Sequence, residues 1–246
     1  MELRQKKDEK RNQPDPAPDR GDFWIWHCVD ATSRLRIANH ISKRREIADA
    51  KPFLARVAKR LASPEVLFIT DKLKSYQEAM LDVFGIMQSP VRNPIGRPRK
   101  AQKIFPEGLL HGQLVKEREH GHLVCTERRA LVGTMDQIKA VLETDSCKVI
   151  STSRVERDNL TVRQHNGRVV RKTLSYSKDT QMHQYAINFE DAVHNFVRPH
   201  LSLRSELPQP RGLRKWQQRT PAVVANLTDR PWSIKELVTY RLPSRL

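Results

Sequence analysis

STSRVERDNLTVRQHNGRVVRKT, residues Ser151 to Thr173, sets a carboxylate, Glu156, near the head of a helix rich in arginine and asparagine. Residues three, four, seven and eleven positions along a helix return to one face, so Asn159, Leu160, Arg163 and Gly167 are expected on the side of Glu156. An acid and a phosphate-binding arginine then look the same way. Thr152 or Ser153 stands where an N-cap belongs, with Glu156 in the first turn or so. Val155, Leu160, Val162 and Val169 would give the helix its core contact. A solvated amphipathic helix without chemistry would carry the same pattern, and this stretch alone does not separate the two.

Working toward the amino terminus, KVIST leads into this helix, and Met135 to Leu142 carries Met135, Ile138, Val141 and Leu142 at helical spacing. GQLVKERE and HLVCTERRALVG, parted at Gly121, read as a hairpin. Residues 86–108 hold Pro90, Pro94, Gly96, Pro98 and Pro106 with the basic string RPRK, Arg97 to Lys100, and read as a basic loop. Before it, EVLFITD is a short buried-type strand ending on Asp71. A carboxylate at the C-terminal tip of a strand in an open α/β sheet lies where such folds place ligands. The helix Leu73 to Phe84 follows it and stops near Gly85.

FWIWHCVD, Phe23 to Asp30, and RLRIANHIS form two β-favouring runs around a short polar turn, a second hairpin. Lys43 to Leu61 repeats apolar residues at the helical period and should pack on a sheet. Residues 1–22 are charged and proline-bearing, which reads as a solvated arm that supplies no core strand. On the other side of the Glu156 helix, Thr180 to Phe196 reads as a longer helix with Met182, Tyr185, Ala186, Phe189, Ala192, Val193 and Phe196 on one face, stopped at Pro199. Residues 201–246, with Trp216 and Trp232 in a polar setting, read as a tail anchored on the domain. Strands alternating with helices argue for an α/β layered domain.

The chain has 246 residues and a formal charge of +17, with its basic residues spread through ordered-looking elements. That charge points to a polyanion, nucleic acid before lipid, and to steeply salt-dependent binding. No apolar run reaches the roughly 18 residues that span a bilayer, and the amino terminus lacks the apolar segment of a secretory signal, so a cytoplasmic, nucleoid-associated protein is expected. Cys28, Cys125 and Cys147 are too dispersed for a zinc ribbon or disulfide framework and are expected as reduced packing residues. His111, His120, His122 and His183 form no zinc pattern and are expected at the surface.

Asp71 and Glu156 are the acids that stand out by placement. Phosphodiester chemistry needs divalent metal held by oxygen ligands, which selects Mg²⁺ or Mn²⁺. A turn aspartate and a capping glutamate would occupy the same places.

Five segments carry a specific resemblance: FWIWHCVDATSR, LFITDKLKSY, STSRVERDNLTVRQHNGRVVRKTLSYSK, NFVRPHLSLR and RTPAVVANLTDRPWSIKEL, in that order over residues 23–240. Together they resemble DDE transposases of prokaryotic insertion sequences, whose catalytic domain has the RNase H-like fold shared with retroviral integrases. The resemblance implies an RNase H-like mixed sheet flanked by helices over residues 23–200, with 86–147 inserted as loop, hairpin and helix before the catalytic helix. It implies that Asp71 and Glu156 are catalytic carboxylates and ligands of Mg²⁺ or Mn²⁺, and that Arg163 contacts DNA near the cut. Arg168, Arg171 and Lys172 extend that basic run and are assigned with it to DNA. The implied reaction is attack by water, then by a 3′-hydroxyl, on DNA phosphodiesters at transposon ends and target, by a homo-oligomer and without a covalent enzyme intermediate.

The family's first aspartate belongs to a strand preceding one like FWIWHCVD. Nothing before Phe23 resembles that strand, so the chain is expected to be amino-terminally truncated, with Asp30 a possible substitute or a turn residue. Two other functions stay open at this point: a catalytically inactive transposase remnant, and a basic structural protein that only binds nucleic acid.

Overall fold

The computed structural model describes residues 2–3, 23–89, 100–120, 122–144, 148–170, 173–211 and 214–241. It is a mixed α/β chain that divides into two compact units, Ser42–Arg157 and the remainder, Met1–Ile41 with Asp158–Leu246.

In the second of these, β1 (Glu2–Leu3), β2 (Phe23–Val29) and β3 (Arg36–Ser42) form one sheet in that order. Neighbouring strands joined by so short a turn must be antiparallel, since a parallel pair needs a crossover of a dozen residues or more. β1 was not expected from the polar composition of residues 1–22. Its two residues need only backbone groups to pair with Trp24 and Phe23, not an apolar pattern. The rest of that segment, residues 4–22, lies outside the described residues.

The unit Ser42–Arg157 begins with α1 (Ile47–Ala58), whose Ala50, Phe53, Leu54 and Val57 are buried at the expected period. β4 (Leu67–Thr70) leads to α2 (Ser75–Phe84), and α1 packs along α2, with Lys51 paired to Asp82. β5 (Ile86–Gln88) pairs antiparallel with β6 (Gln102–Ile104), so the ends of the segment read as loop are in fact a small ladder. Short exposed strands of this kind leave little apolar periodicity to detect. Residues 90–99, with most of the RPRK string, lie outside the described residues.

β7 (Leu110–Glu119) is the spine of this unit. It pairs parallel with β4 and antiparallel with β8 (His122–Val132). After β8 the chain turns at Gly133, whose φ of +79° favours glycine, with Leu110 Cδ2 2.3 Å from where a Cβ would stand. α3 (Met135–Glu143) is opened by a reciprocal Thr134–Gln137 capping box. Leu110, Leu114, Ile138, Leu142 and Ile150 form the core, with Leu67, Ile69, Ala130 and Met135 packed against it.

α4 (Ser153–His165) is the opening helix, and the division between the units passes through it after Arg157. It ends before Gly167, which begins a 3₁₀ turn, so Gly167 does not continue the helical face. Val162 and Val169 join Phe23, Ile25, Ile41 and Ile187 in a core cluster, whereas Leu160 is exposed.

α5 (Thr180–Ala192), capped by Asp179, passes into a π-helical turn at Val193–Val197. Its large apolar residues and its buried side do not coincide. Met182, Tyr185 and Phe189 are exposed, and the buried side carries His183, Ile187, Glu190 and Asp191.

Those acids face Arg36, whose guanidinium binds Asp158 through Nε (3.0 Å) and Nη2 (2.9 Å) and Asp191 through Nη1 (3.2 Å). Glu190 lies 3.5 Å from Arg36 and 3.1 Å from Arg198. Burial opposes charge on Arg36, but Asp158 and the two other carboxylates hold it firmly protonated. Asn39 and Asn195 close the network.

A 3₁₀ turn at Leu201–Leu203 precedes β9 (Ser205–Arg211) and β10 (Arg214–Gln217), an antiparallel pair in which Arg204 stacks on Trp216, 4.4 Å from the ring centre. α6 (Pro221–Val224) and α7 (Ile234–Thr239) follow. Trp232 packs on Phe196 and Tyr240 and donates its indole N–H to Thr228 at 2.9 Å. No helix among the described residues is long and apolar enough to cross a membrane.

Candidate active site

Alternation along two neighbouring strands prepares the site. On β4, Leu67 and Ile69 pack on the core shared with α3, and on β7, Leu110 and Leu114 do the same, with Ile150 against Gly112 between them. Side chains two apart share a face, so the next positions in the two rows are Asp71 and Lys116. Both rows thus run from apolar residues under α3 to a charged residue past the core.

Asp71 follows the last residue of β4 directly. Its Oδ1 accepts from the Leu73 backbone N–H at 3.1 Å, its carbonyl from the Gln113 side chain at 3.1 Å, and its Oδ2 lies 3.5 Å from the Arg45 guanidinium. Thr70 is in register with Gln113, so Asp71 emerges at the C-terminal edge of β4 while β7 continues past it.

Glu156 stands in the first turn of α4 and its Oε1 accepts from Lys116 Nζ at 2.5 Å and from Thr152 Oγ1 at 2.7 Å. The Thr152 hydroxyl, at the position expected to cap the helix, donates to the carboxylate. Lys116, then Thr152, hold the Glu156 carboxyl below the usual carboxylate range. Gln113 on the Asp71 backbone and Lys116 on the Glu156 carboxylate are three residues apart on β7, roughly 10 Å of extended chain. Lys72 reaches Glu117 at 3.6 Å on the same strand.

Each acid is thus matched by a basic side chain that sequence reasoning did not single out, Arg45 and Lys116. The alternation in GQLVK placed Lys116 on the core-facing row, but no local pattern pairs it with a residue 40 positions away. Among the described residues no group of three or more His, Cys, Asp or Glu side chains is gathered as a metal site.

The remaining residues fall as follows. Asp30 Oδ2 accepts from the Ser33 backbone N–H at 2.7 Å and from its hydroxyl at 2.5 Å, closing the β2–β3 turn. Arg163 is half-buried, with its Nε enclosed and lacking a hydrogen-bond partner. Arg168 donates to Ser177 at 3.3 Å. Arg171 and Lys172 lie outside the described residues.

Two histidines expected at the surface are buried. His111 bonds Thr70 Oγ1 at 2.8 Å and His183 bonds Ser177 Oγ at 2.7 Å, the single hydroxyl partner letting a neutral imidazole pack inside. Burial lowers each to about 4. Cys28 fits the packing role, but Cys125 is exposed on β8, and Cys147 lies outside the described residues.

A basic α/β chain that presents one carboxylate past a strand end and another from the first turn of a helix has the general form of proteins that act on phosphate esters. Residues 20–105, which include Asp71, match a family model described as a DDE domain, and residues 137–196, which include Glu156, match one described as IS1 transposase. Together these two matches support a DDE transposase of an insertion sequence. No curated protein and no solved structure matches it. DDE domains work with divalent metal ions, and a transposase has DNA as its partner.

Proposed function

We propose that this chain cuts insertion-sequence ends and joins them to target DNA, with Asp71 and Glu156 as the ligands of Mg²⁺ or Mn²⁺ in an RNase H-like domain. The observation that carries the reading is the service of both acids by one strand: β7 meets Asp71 through Gln113 and Glu156 through Lys116. The domain extends over residues 23–200, with the 86–147 segment inserted and 201–246 as its anchored tail. Parallel pairing of β4 with β7, and α2 after Asp71, support an α/β layering that such a domain would share.

The donor set fits a hard cation. Both groups are carboxylates, and Glu156 is held ionised by its neighbours, as a ligand must be. Asp71 and Glu156 would hold the ion, and the chemistry supplied there would be activation of the attacking oxygen and stabilisation of charge on the leaving one. The chain's own residues do the rest. Thr152 and Lys116 fix the rotamer of Glu156, Gln113 fixes the backbone at Asp71, and Arg163, Arg168, Arg171 and Lys172 supply phosphate contacts from the helix and the segment after it. In the cleavage step a water oxygen bonds to phosphorus as the P–O3′ bond breaks, leaving a 3′-hydroxyl. That hydroxyl's oxygen then bonds to a target phosphorus as the target's own P–O3′ bond breaks and leaves a 3′-hydroxyl on the target strand. The acting form is a homo-oligomer, and its setting is the cytoplasm at the nucleoid.

A second reading, a chain that binds DNA without cutting it, is favoured by one observation: the Asp30 carboxylate is engaged in its own turn. The same assay tests both. With Mn²⁺ and a labelled transposon-end duplex, the wild type should cleave while Glu156→Gln and Asp71→Asn lose about 10³-fold or more, the scale of removing a group that acts on the transition state. DNA binding should survive both substitutions. Cleavage that persists in Glu156→Gln removes that residue from the site, and wild-type binding without cleavage establishes the second reading.

A further inference from the structure

Lys116 has one carboxylate partner in the described contacts, Glu156, and meets it at the atom that Thr152 also binds. It reaches that atom from the middle of β7, across from Thr126 of β8, so the strand ladder fixes where its stem begins. The acid next to it, Glu117, is engaged by Lys72. Lys116 itself is only 29% exposed, less open than the Glu156 side chain at 55%. The ammonium thus stands on the carboxylate from inside the unit, leaving the carboxylate as the outward member of the pair.

A primary ammonium and a divalent cation seek the same thing from a carboxylate, a localised charge on its oxygen atoms. Sharing one oxygen at contact distance is costly, because like charges that close repel. We propose that Lys116 is a tethered cation that competes with the divalent ion for Glu156, so that it sets how much metal the site needs. The inference rests on Glu156 being a metal ligand. With the ion absent, Lys116 keeps the carboxylate in place and out of reach of other basic side chains. With the ion present, the same ammonium is released beside the site, where phosphate is the available anion.

Binding of Mn²⁺ to the full chain, followed by electron paramagnetic resonance of the free ion, tests this without an activity readout. Lys116→Met should tighten Mn²⁺ binding about two- to fivefold, the range a single exposed ion pair supplies. Lys116→Arg keeps the charge and should leave binding near the wild type. Lys139→Met removes a lysine of the same unit that pairs with Asp136 instead, and should change nothing. Unaltered affinity in Lys116→Met, or an equal gain in Lys139→Met, overturns the proposal, the second by showing net charge alone at work. Lys116→Gln repeats the measurement if the methionine variant fails to fold by circular dichroism. Glu156→Gln separates the two levels: if it binds Mn²⁺ as the wild type does, the ligand assignment falls, whereas weakened binding there with no response at Lys116 refutes the competition alone.

Discussion

Arg36 shows how a single residue can organise a core that is not apolar. Its guanidinium is fully enclosed, yet it meets Asp158 in a two-point contact and Asp191 in a third. Burying a charge is costly unless its partners are in place, and the loss on removing one partner exceeds what the intact pair contributes. His27 shares this interior: its ring nitrogens lie 3.8 Å from Asp158 and 3.7 Å from Asp191, beyond hydrogen-bond reach, and both lack partners. Burial lowers it to about 4, against the pull of Asp158 and with the push of Arg36, so it is a neutral filler among charges. Replacing Arg36 by Met would leave Asp158 and Asp191 enclosed without their cation. The expected cost is about 3–5 kcal/mol in urea unfolding. Asp158→Asn keeps the shape and one acceptor and should cost less. If Arg36→Met unfolds at the wild-type midpoint, water reaches these acids and the network is not the enclosed one described.

At the scale of elements, α5 is the instructive case, because its apolar stripe and its buried side differ. Met182, Tyr185 and Phe189 recur at helical spacing and invite assignment to the core, but each is at least half exposed, and Ile187 with Glu190 and Asp191 faces inward. Arg36 and Asn39 on β3 are what turn the helix, since acids that find buried cations and amides are no longer confined to the surface. Substituting Phe189→Ser or Tyr185→Ser should therefore shift stability by no more than about 0.5 kcal/mol. Ile187→Ala should cost about 2–5 kcal/mol. The reverse order in urea melts would restore the apolar stripe to the core.

The same contrast explains what could be read before folding. The β2–β3 hairpin, α1, the strand ending on Asp71, the β7–β8 hairpin and the helix of Glu156 all rest on local periodicity and turn residues, and they stand where those signals put them. The motifs bearing Asp71 and Glu156 were legible for the same reason. The facing of α5, the interior place of His111 and the pairing of Lys116 with Glu156 depend on partners up to 155 residues away, of which no local window carries a trace.

Across the whole molecule, buried histidines make acid the sensitive direction. His27, His111 and His183 are lowered to about 4 and His194 to about 3, in each case chiefly by burial. A histidine with a depressed folded value is held neutral by folding, so the unfolded chain takes up its proton first as pH falls. The stability it lends is complete above about 6.5 and is lost as pH drops toward the folded values. Asp191 acts in the opposite sense. Burial raises it to about 6 in spite of Arg36 and Asn39, so it favours the folded state when protonated and that contribution fades as pH rises through 6. Between pH 6.5 and 4 it offsets one of the four histidines. The net expectation is a stability that is level near pH 7–8 and falls below 6.5, by at most about 1.4 kcal/mol per pH unit for each net proton. The two units should differ. His27, His183, His194 and Asp191 belong to the unit Met1–Ile41 with Asp158–Leu246, and His111 belongs to Ser42–Arg157. All four tryptophans, Trp24, Trp26, Trp216 and Trp232, also belong to the former, so their fluorescence reports that unit alone. Its urea midpoint should fall more steeply from pH 6.5 to 4.5 than the midpoint seen by far-ultraviolet circular dichroism, which averages both. A fluorescence midpoint that stays level to pH 5 would mean these histidines titrate as they do in water, and that the polar interior around Arg36 is open to solvent.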